Sequence, residues 1–276
     1  MLTGCLFCER IPIGPEAGHF IHMNFNGPTN KTEGDYSLIL DTFWLFTKYP
    51  HDIAITRELG LNAGWDPESC DAILHNVKPG DVCVNVGIDF GYFTEIMARL
   101  AGKNGKVISV SPVSEIIENY KKSTAKNDYT NTAPIELYIE ALGNRELDVR
   151  FIYLEENPGA SYIKKLGISH DVMGHGQFEV INMKTKPFKE IYQGDVDFAI
   201  VKASGYELEA LQGFLRLPKT LVIEYVTPWA SNEYVDFIFD NYEVRTNKEV
   251  PVFRNDDLLR SHLNTVLVCR LKDSII

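Results

Sequence analysis

The sequence predicts a doubly wound, mostly parallel α/β sheet closed at its C-terminal end by an antiparallel strand pair. Three observations predict it. Short β-branched runs alternate with helical stretches from Pro67 onward. A loop with two glycines, Val84-Asn85-Val86-Gly87-Ile88-Asp89-Phe90-Gly91-Tyr92-Phe93-Thr94, joins the first such run to the helix after it. Late in the chain, Tyr242 to Arg245 and Thr265 to Arg270 read as a closing antiparallel pair.

The elements follow in order. Asp66 is a candidate N-cap, Pro67 suits the first helical position, and Glu68 suits the positive end of the dipole. After the turn Lys78 to Asp81, the run Val82-Cys83-Val84-Asn85-Val86 reads as a buried parallel strand, with Cys83 as a small core hydrophobe. Tyr92 to Ala101 is helical and stops at Gly102. Val107 to Val110 is the next strand, and Ser114 to Asn127 a helix capped by Ser114. Ile135 to Ala141 is a third strand. Asp148 to Met183 is strand-like, two or three strands around a mobile loop that contains Gly and His. Val196 to Val201 and Thr220 to Val226 are further strands, and Gly205 to Leu215 and Asn232 to Asp240 helices.

The chain of 276 residues suits one large domain with an extension: an N-terminal arm over residues 1–60 and the α/β domain over 61–276. Within the arm, Asp35 to Tyr49 is apolar and aromatic, and its period fits either a helix or a buried strand. Hydrophobic residues at 45% and charged residues at 24% exclude a disordered chain. No run of about 18 apolar residues exists, so no membrane span is expected. The N-terminus lacks a basic stretch followed by a long apolar one, so no signal peptide is expected and the default compartment is the cytoplasm. A formal charge of -11 argues against a general nucleic-acid binder. Cys5 and Cys8 form a lone CxxC, with His19 and His22 as the nearest further ligands. Without a second CxxC, a coincidental pair is favoured and no metal is expected.

The first loop carries the chemistry. A strand that ends in Gly-x-x-x-Gly and feeds a helix leaves room for a ligand beside Gly87 and Gly91. Ligands of such sheets sit beyond the carboxyl ends of the strands. The spacing is not GxGxxG, which favours an adenosyl ligand over a dinucleotide. About two dozen residues on, Ser111 stands where an acidic residue commonly takes the ribose hydroxyls.

These motifs resemble the FkbM-type S-adenosylmethionine-dependent methyltransferases, which have a Rossmann-like fold of the class I methyltransferase type. The resemblance runs over roughly residues 60 to 270. Gly64-Trp65-Asp66-Pro67 is similar to the family's G-x-WEP, and Asn85 to Thr94 to its DVGAN-x-GYFT. Val110-Ser111-Pro112 is similar to its FEP. Val196 to Glu207, with Leu211 and Gly213, is similar to vDfiKiDvEGyE-x-x-xL-x-G, and Leu221 to Glu224 to iEi. The resemblance implies S-adenosylmethionine as cofactor, held by Asn85, Gly87, Asp89, Gly91, Tyr92, Phe93 and Ser111, and a small-molecule or saccharide hydroxyl as acceptor.

The departures fall on polar positions. Asn85 and Asp89 exchange the family's Asp and Asn, and Ser111 replaces its ribose-binding Glu. Ile200, Lys202 and Ser204 replace its Lys, Asp and Glu. A serine cannot make the charge-assisted pair of a carboxylate. If Lys202 faces the pocket, it disfavours a sulfonium and suits an anionic ligand or a salt bridge to Asp89. Otherwise it extends to the surface and meets no ligand. For the base, His170 and His175 flank a loop where Asp171 offers a further ligand, and Glu224 ends a strand. Exposed histidines are the plainer reading of that loop. Glu207 suits the first turn of a helix. Trp65 and Trp229 fit either a pocket rim or the core. Two rival expectations stand beside the enzyme: a non-catalytic relative that binds or assembles with a protein partner, and a binder of an anionic, nucleotide-like ligand.

Overall fold

The computed structural model describes residues 10–12, 20–22, 32–33, 35–39, 42–47, 65–88, 90–155, 158–165, 177–227, 230–261 and 264–273. Asp89, His170, Asp171, His175 and Trp229 lie outside them, as do Cys5, Cys8 and His19 and the side chain of His22.

The N-terminal region holds a short hairpin, β1 (Arg10–Pro12) with β2 (Phe20–His22), and a three-stranded meander, β3 (Thr32–Glu33), β4 (Tyr36–Ile39) and β5 (Phe43–Phe46). The ambiguous aromatic segment is thus a strand pair, not a helix. Its alternation buries Ile39, Phe43 and Leu45 completely. Polar side chains at and just past the end of a later helix (Ser114–Thr124) fasten it. The Asn127 amide accepts from the Trp44 N–H at 2.7 Å and donates to the Trp44 carbonyl at 2.9 Å, and the Ser123 hydroxyl accepts from the Phe46 N–H at 2.8 Å.

The domain proper begins with α1 (Pro67–Asn76), then β6 (Val82–Val86), α2 (Tyr92–Ala101), β7 (Lys106–Ser111), α3 (Ser114–Thr124) and β8 (Ile135–Ile139). Next come β9 (Ala141–Leu142), β10 (Asp148–Leu154), β11 (Tyr162–Ile163) and β12 (Phe178–Lys186). The chain closes with β13 (Phe198–Val201), α4 (Glu207–Gln212), β14 (Thr220–Val226), α5 (Asn232–Asn241), β15 (Tyr242–Thr246), α6 (Leu258–Ser261) and β16 (Asn264–Leu271).

Seven strands form the central sheet in the order β15-β16-β14-β13-β6-β7-β8. The pairs from β14 through β13, β6 and β7 to β8 are parallel, whereas β16 runs antiparallel between β14 and β15. The order reverses direction between β6 and β13, which is where an open parallel sheet leaves a crevice. Both faces are apolar. Val84, Ile108, Val201 and Ile223 lie in one core layer, and Cys83, Val107, Phe198, Ile200 and Val222 in the other. A second sheet, β11-β10-β12-β9, joins this core through the parallel pairing of β9 with the end of β12.

α2 is buried along its whole length, including Glu95 and Arg99. The two pair with each other, and the Tyr120 and Tyr129 hydroxyls also donate to Glu95, at 2.7 Å from Tyr120. The Arg99 guanidinium lies over the Phe43 ring at 4.8 Å. Charges at such depth persist only when paired in this way.

Boundaries differ from expectation at α4 and α3, whereas the strand count between Asp148 and Met183 is as expected. α4 is shorter than the predicted Gly205–Leu215 because Ser204 and Gly205 both take positive φ, at 49° and 92°, and make a turn there. α3 has Val113 at its N-cap, so Ser114 is its first helical residue and caps nothing. The stretch Asp148 to Met183 holds three strands, with residues 166–176 between β11 and β12 outside the described residues.

Candidate functional site

The cleft opens at the carboxyl ends of the central strands. Gly87 follows β6, Ser111 ends β7, Glu140 follows β8, and Lys202 follows β13, and all four line it. The second sheet and α3 supply the apolar wall, with Phe151, Ile163 and Ile116.

The two glycines are explained by the fold. Gly87 has φ +88°, and a Cβ there would lie 2.2 Å from the Lys202 carbonyl oxygen. Gly91 has φ +84°, and its Cβ would lie 2.0 Å from the Tyr120 ring. Close packing inside the protein, more than room for a ligand, requires glycine at both positions. Gly87 alone of the two lines the cleft among the described residues.

Three other expected cofactor residues turn inward. Asn85 is buried, donates to Thr94 Oγ1 at 2.9 Å, and its side-chain carbonyl oxygen meets no partner among the described residues. Thr94 continues to the Ser109 hydroxyl at 2.8 Å. Tyr92 and Phe93 are core residues, and the Tyr92 hydroxyl accepts from the Cys70 thiol at 3.1 Å. Trp65 also packs against the core. Ser111 lines the cleft, but its hydroxyl already accepts from the Val113 N–H at 3.3 Å, a local turn just before α3.

The charged centre of the site is Lys202. Its side chain is 13% exposed, and its ammonium pairs with Asp66 and with Glu224, the latter at 3.4 Å. It also lies over the Phe93 ring at 5.2 Å. The reading in which it reaches the surface is overturned. Among the described residues its partners are Asp66, at the N-cap of α1, and Glu224; the expected partner, Asp89, lies outside them. Asp66 is itself anchored: it accepts from the Ser69 N–H at 3.0 Å and from the Ser69 hydroxyl at 2.6 Å. Burial pushes the Asp66 carboxyl up, but Lys202 and Ser69 outweigh it and hold the group below the usual carboxylate range.

Glu207, read as a first-turn helix residue, has a further task. Its carboxylate accepts from the N–H groups of Ala203 and Gly205, at 3.0 Å each. It thereby fixes the turn that carries Lys202 into the cleft. Burial raises its pKa, opposed by these N–H groups.

Two site residues were missed in the sequence. Glu140 lines the cleft and pairs with Lys186. Its signal was available, as a charged residue just past a parallel strand's carboxyl end. Asp66 gave a capping signal and a place in the lead-in motif, but no sign of its partner, which is 136 residues away.

A family model described as protein-L-isoaspartate(D-aspartate) O-methyltransferase matches residues 68–140. The chain is 35% identical over 66 residues to protein-L-isoaspartate O-methyltransferase of Methanococcus aeolicus, which is 24% of this chain and 30% of that protein. The chain therefore matches less than a third of that relative's length. Among solved structures, precorrin-6y C5,15-methyltransferase of Geobacter metallireducens aligns with 14% identity and a TM-score of 0.41, over 74% of this chain and 87% of that one. Aeropyrum pernix fibrillarin, in complex with S-adenosyl-L-methionine, aligns with 13% identity and a TM-score of 0.40, over 74% of each chain.

The chain has a Rossmann-like α/β fold of the class I methyltransferase type. That statement rests on its own sheet, in which parallel strands reverse order at β6 and β13 and one antiparallel strand is inserted near the end. Among the described residues, no helix is long and apolar enough to cross a membrane.

Proposed function

We propose that this chain binds S-adenosylmethionine in the cleft and directs its methyl group to a hydroxyl of a small molecule or saccharide. The observation that carries the reading is the pairing of Lys202 with two carboxylates. An uncompensated ammonium about 4 Å from a sulfonium would cost on the order of 4 kcal/mol at an effective dielectric near 20. Here one ammonium stands with two carboxylates, so the local formal charge is negative and favours a cation. The same pairing disfavours the anionic-ligand alternative.

The residues on the walls fit an adenosyl group. Ile116, Phe151 and Ile163 offer an apolar surface for a flat base. Ser111 and Glu140 offer polar groups at the rim for hydroxyls or an amine. When bound, the cofactor supplies an electrophilic methyl group on a positively charged sulfur. The chain's own part is to exclude water, hold the acceptor in line and take a proton. Glu224 is our candidate for the last task, since it is 31% exposed and paired with Lys202 beside the cleft, and Glu140 is the carboxylate that lines the cleft itself. His170 and His175 stay as rival bases.

The relative's name points to a protein acceptor. The matched stretch ends at residue 140, before Lys202 and Glu224, so it bears on the cofactor side of the cleft. Titration calorimetry with S-adenosylmethionine and S-adenosylhomocysteine tests the reading. Micromolar binding is expected, and no binding up to millimolar ligand refutes it. Labelled methyl transfer to hydroxyl compounds, set against an isoaspartyl peptide, then decides the acceptor.

A non-catalytic binding role, with a protein partner, is the second reading. The observation in its favour is Ser111, whose hydroxyl is committed to the chain's own backbone where the resembled family carries a carboxylate. Cofactor binding without transfer to any acceptor would establish it.

A further inference from the structure

We infer that Asp66 is a positioning residue of the cleft, acting through Lys202, and that it sets the preference between the cationic and neutral forms of the cofactor. The inference rests on the adenosyl-binding reading above. It adds a residue that neither the loop motif nor the strand-end positions assign.

Asp66 has three unusual properties together. It holds φ at +43°, in the left-handed region that Asp tolerates but that is unusual at a helix N-cap. It is 17% exposed in its side chain while carrying a charge. Both of its oxygens are engaged, one by the Ser69 N–H and the other by the Ser69 hydroxyl and Lys202. A helix cap alone needs only the first of these bonds. The remainder fixes a carboxylate at the start of α1 so that it draws the Lys202 ammonium toward that helix.

The consequence is geometric. Lys202 lines the cleft, so the position of its ammonium sets the charge beside a bound ligand. Asp66 pulls on the α1 side, and Glu224, on β14, pulls at 3.4 Å. Between them the ammonium is restrained, and the charge presented to a sulfonium is that of the cluster and not of a bare lysine. With Asp66 neutralised, the three-group formal charge rises from −1 to 0, and the restraint from α1 goes. S-adenosylmethionine, which carries the positive sulfur, then loses affinity. S-adenosylhomocysteine, whose sulfur is neutral, does not.

Asp66→Asn is the test, because Asn caps helices as well as Asp and tolerates positive φ. Dissociation constants for both ligands are measured by calorimetry on wild type, D66N and D66N/K202M, with melting curves for each. The expected result is roughly a tenfold or larger loss for S-adenosylmethionine in D66N, about 1.4 kcal/mol, with the homocysteine analogue changed less than about threefold. The double variant should restore the wild-type ratio. Equal losses for both ligands, or an unchanged ratio, overturn the inference, since a purely structural cap would act on both alike. If wild type binds neither ligand, the adenosyl reading itself has failed.

Discussion

Lys202→Asp places at position 202 the residue that the resembled family carries, and the structure expects this reversion to damage the fold. In the wild type the ammonium lies 3.4 Å from Glu224 and pairs with Asp66 on its other side. At an effective dielectric of about 20, the Glu224 contact alone has a gross Coulomb term near 5 kcal/mol. All three side chains are at most 31% exposed, so desolvation offsets much of this. Removing one member of such a buried pair costs about 3–5 kcal/mol, because the other members stay buried without their counter-charge. In a domain of this size that lowers Tm by on the order of 10 °C. Lys202→Met separates the loss of attraction from added repulsion and should melt between wild type and Lys202→Asp.

The pH dependence gives an independent check. Asp66 is held below its ordinary value of 3.8, so its stabilising share is present above that value and lost as pH falls through the depressed one. In Lys202→Met, burial acts without its largest opponent and the carboxyl takes up a proton at higher pH. The stability gap between the variant and wild type should therefore shrink as pH falls toward 4 (roughly the ordinary carboxylate range). Chemical denaturation between neutral and acidic pH measures it. A Lys202→Asp protein as stable as wild type at neutral pH, or a gap that widens in acid, would refute the buried-cluster account.

Other substitutions test other parts of the site. Gly91→Ala should cost several kcal/mol, because its Cβ would meet the Tyr120 ring at 2.0 Å, whereas Gly80→Ala, with φ +93° and nothing within 4 Å, should cost only about 1–2 kcal/mol; thermal melts compare them. Ser111→Ala should cost about 1 kcal/mol by removing the acceptor for the Val113 N–H, and Ser111→Glu should tighten S-adenosylmethionine roughly tenfold in calorimetry through a charge-assisted bond. Glu207→Gln should destabilise by about 1–3 kcal/mol near neutral pH through mismatched donors at Ala203 and Gly205. Because the Glu207 pKa is raised, wild-type stability should decline as pH climbs from 4.5 through the higher folded value, and that slope should be absent from the variant's denaturation profile.

The fold was legible where burial is continuous. Tyr92–Ala101 and Thr220–Val226 end where the sequence places them, since each is bounded by turn residues and filled with core side chains. Local signals misled where a capping residue type stood one position too late. Ser114 looks like a cap, but α3 starts at Ser114 itself, with Val113 at the N-cap and no side-chain cap. The glycines of the first loop were read as a sharp turn with room for a ligand; both do take positive φ, and the crowding by Tyr120 and the Lys202 backbone, which are distant in sequence, could not be read locally. Asp66 and Lys202 show the same limit for charge. Each was visible by itself, and their pairing exists only in three dimensions.

That pairing changes the meaning of the chain's departures from the family it resembles. In the resembled pattern, positions 66, 202 and 224 carry Glu, Asp and Glu, a formal charge of −3. Here they carry Asp, Lys and Glu, a formal charge of −1. Lys202 therefore reduces the negative charge of the site without reversing it. A bare lysine beside a sulfonium argues for lost function, whereas a lysine between two anchored carboxylates argues for a retuned pocket. The cluster also lies beyond the stretch matched by the isoaspartate methyltransferase model, which ends at residue 140. Whatever makes this chain's chemistry its own is to be sought on the β13–β14 side of the cleft, and the ratio of affinities for charged and neutral cofactor reads it directly.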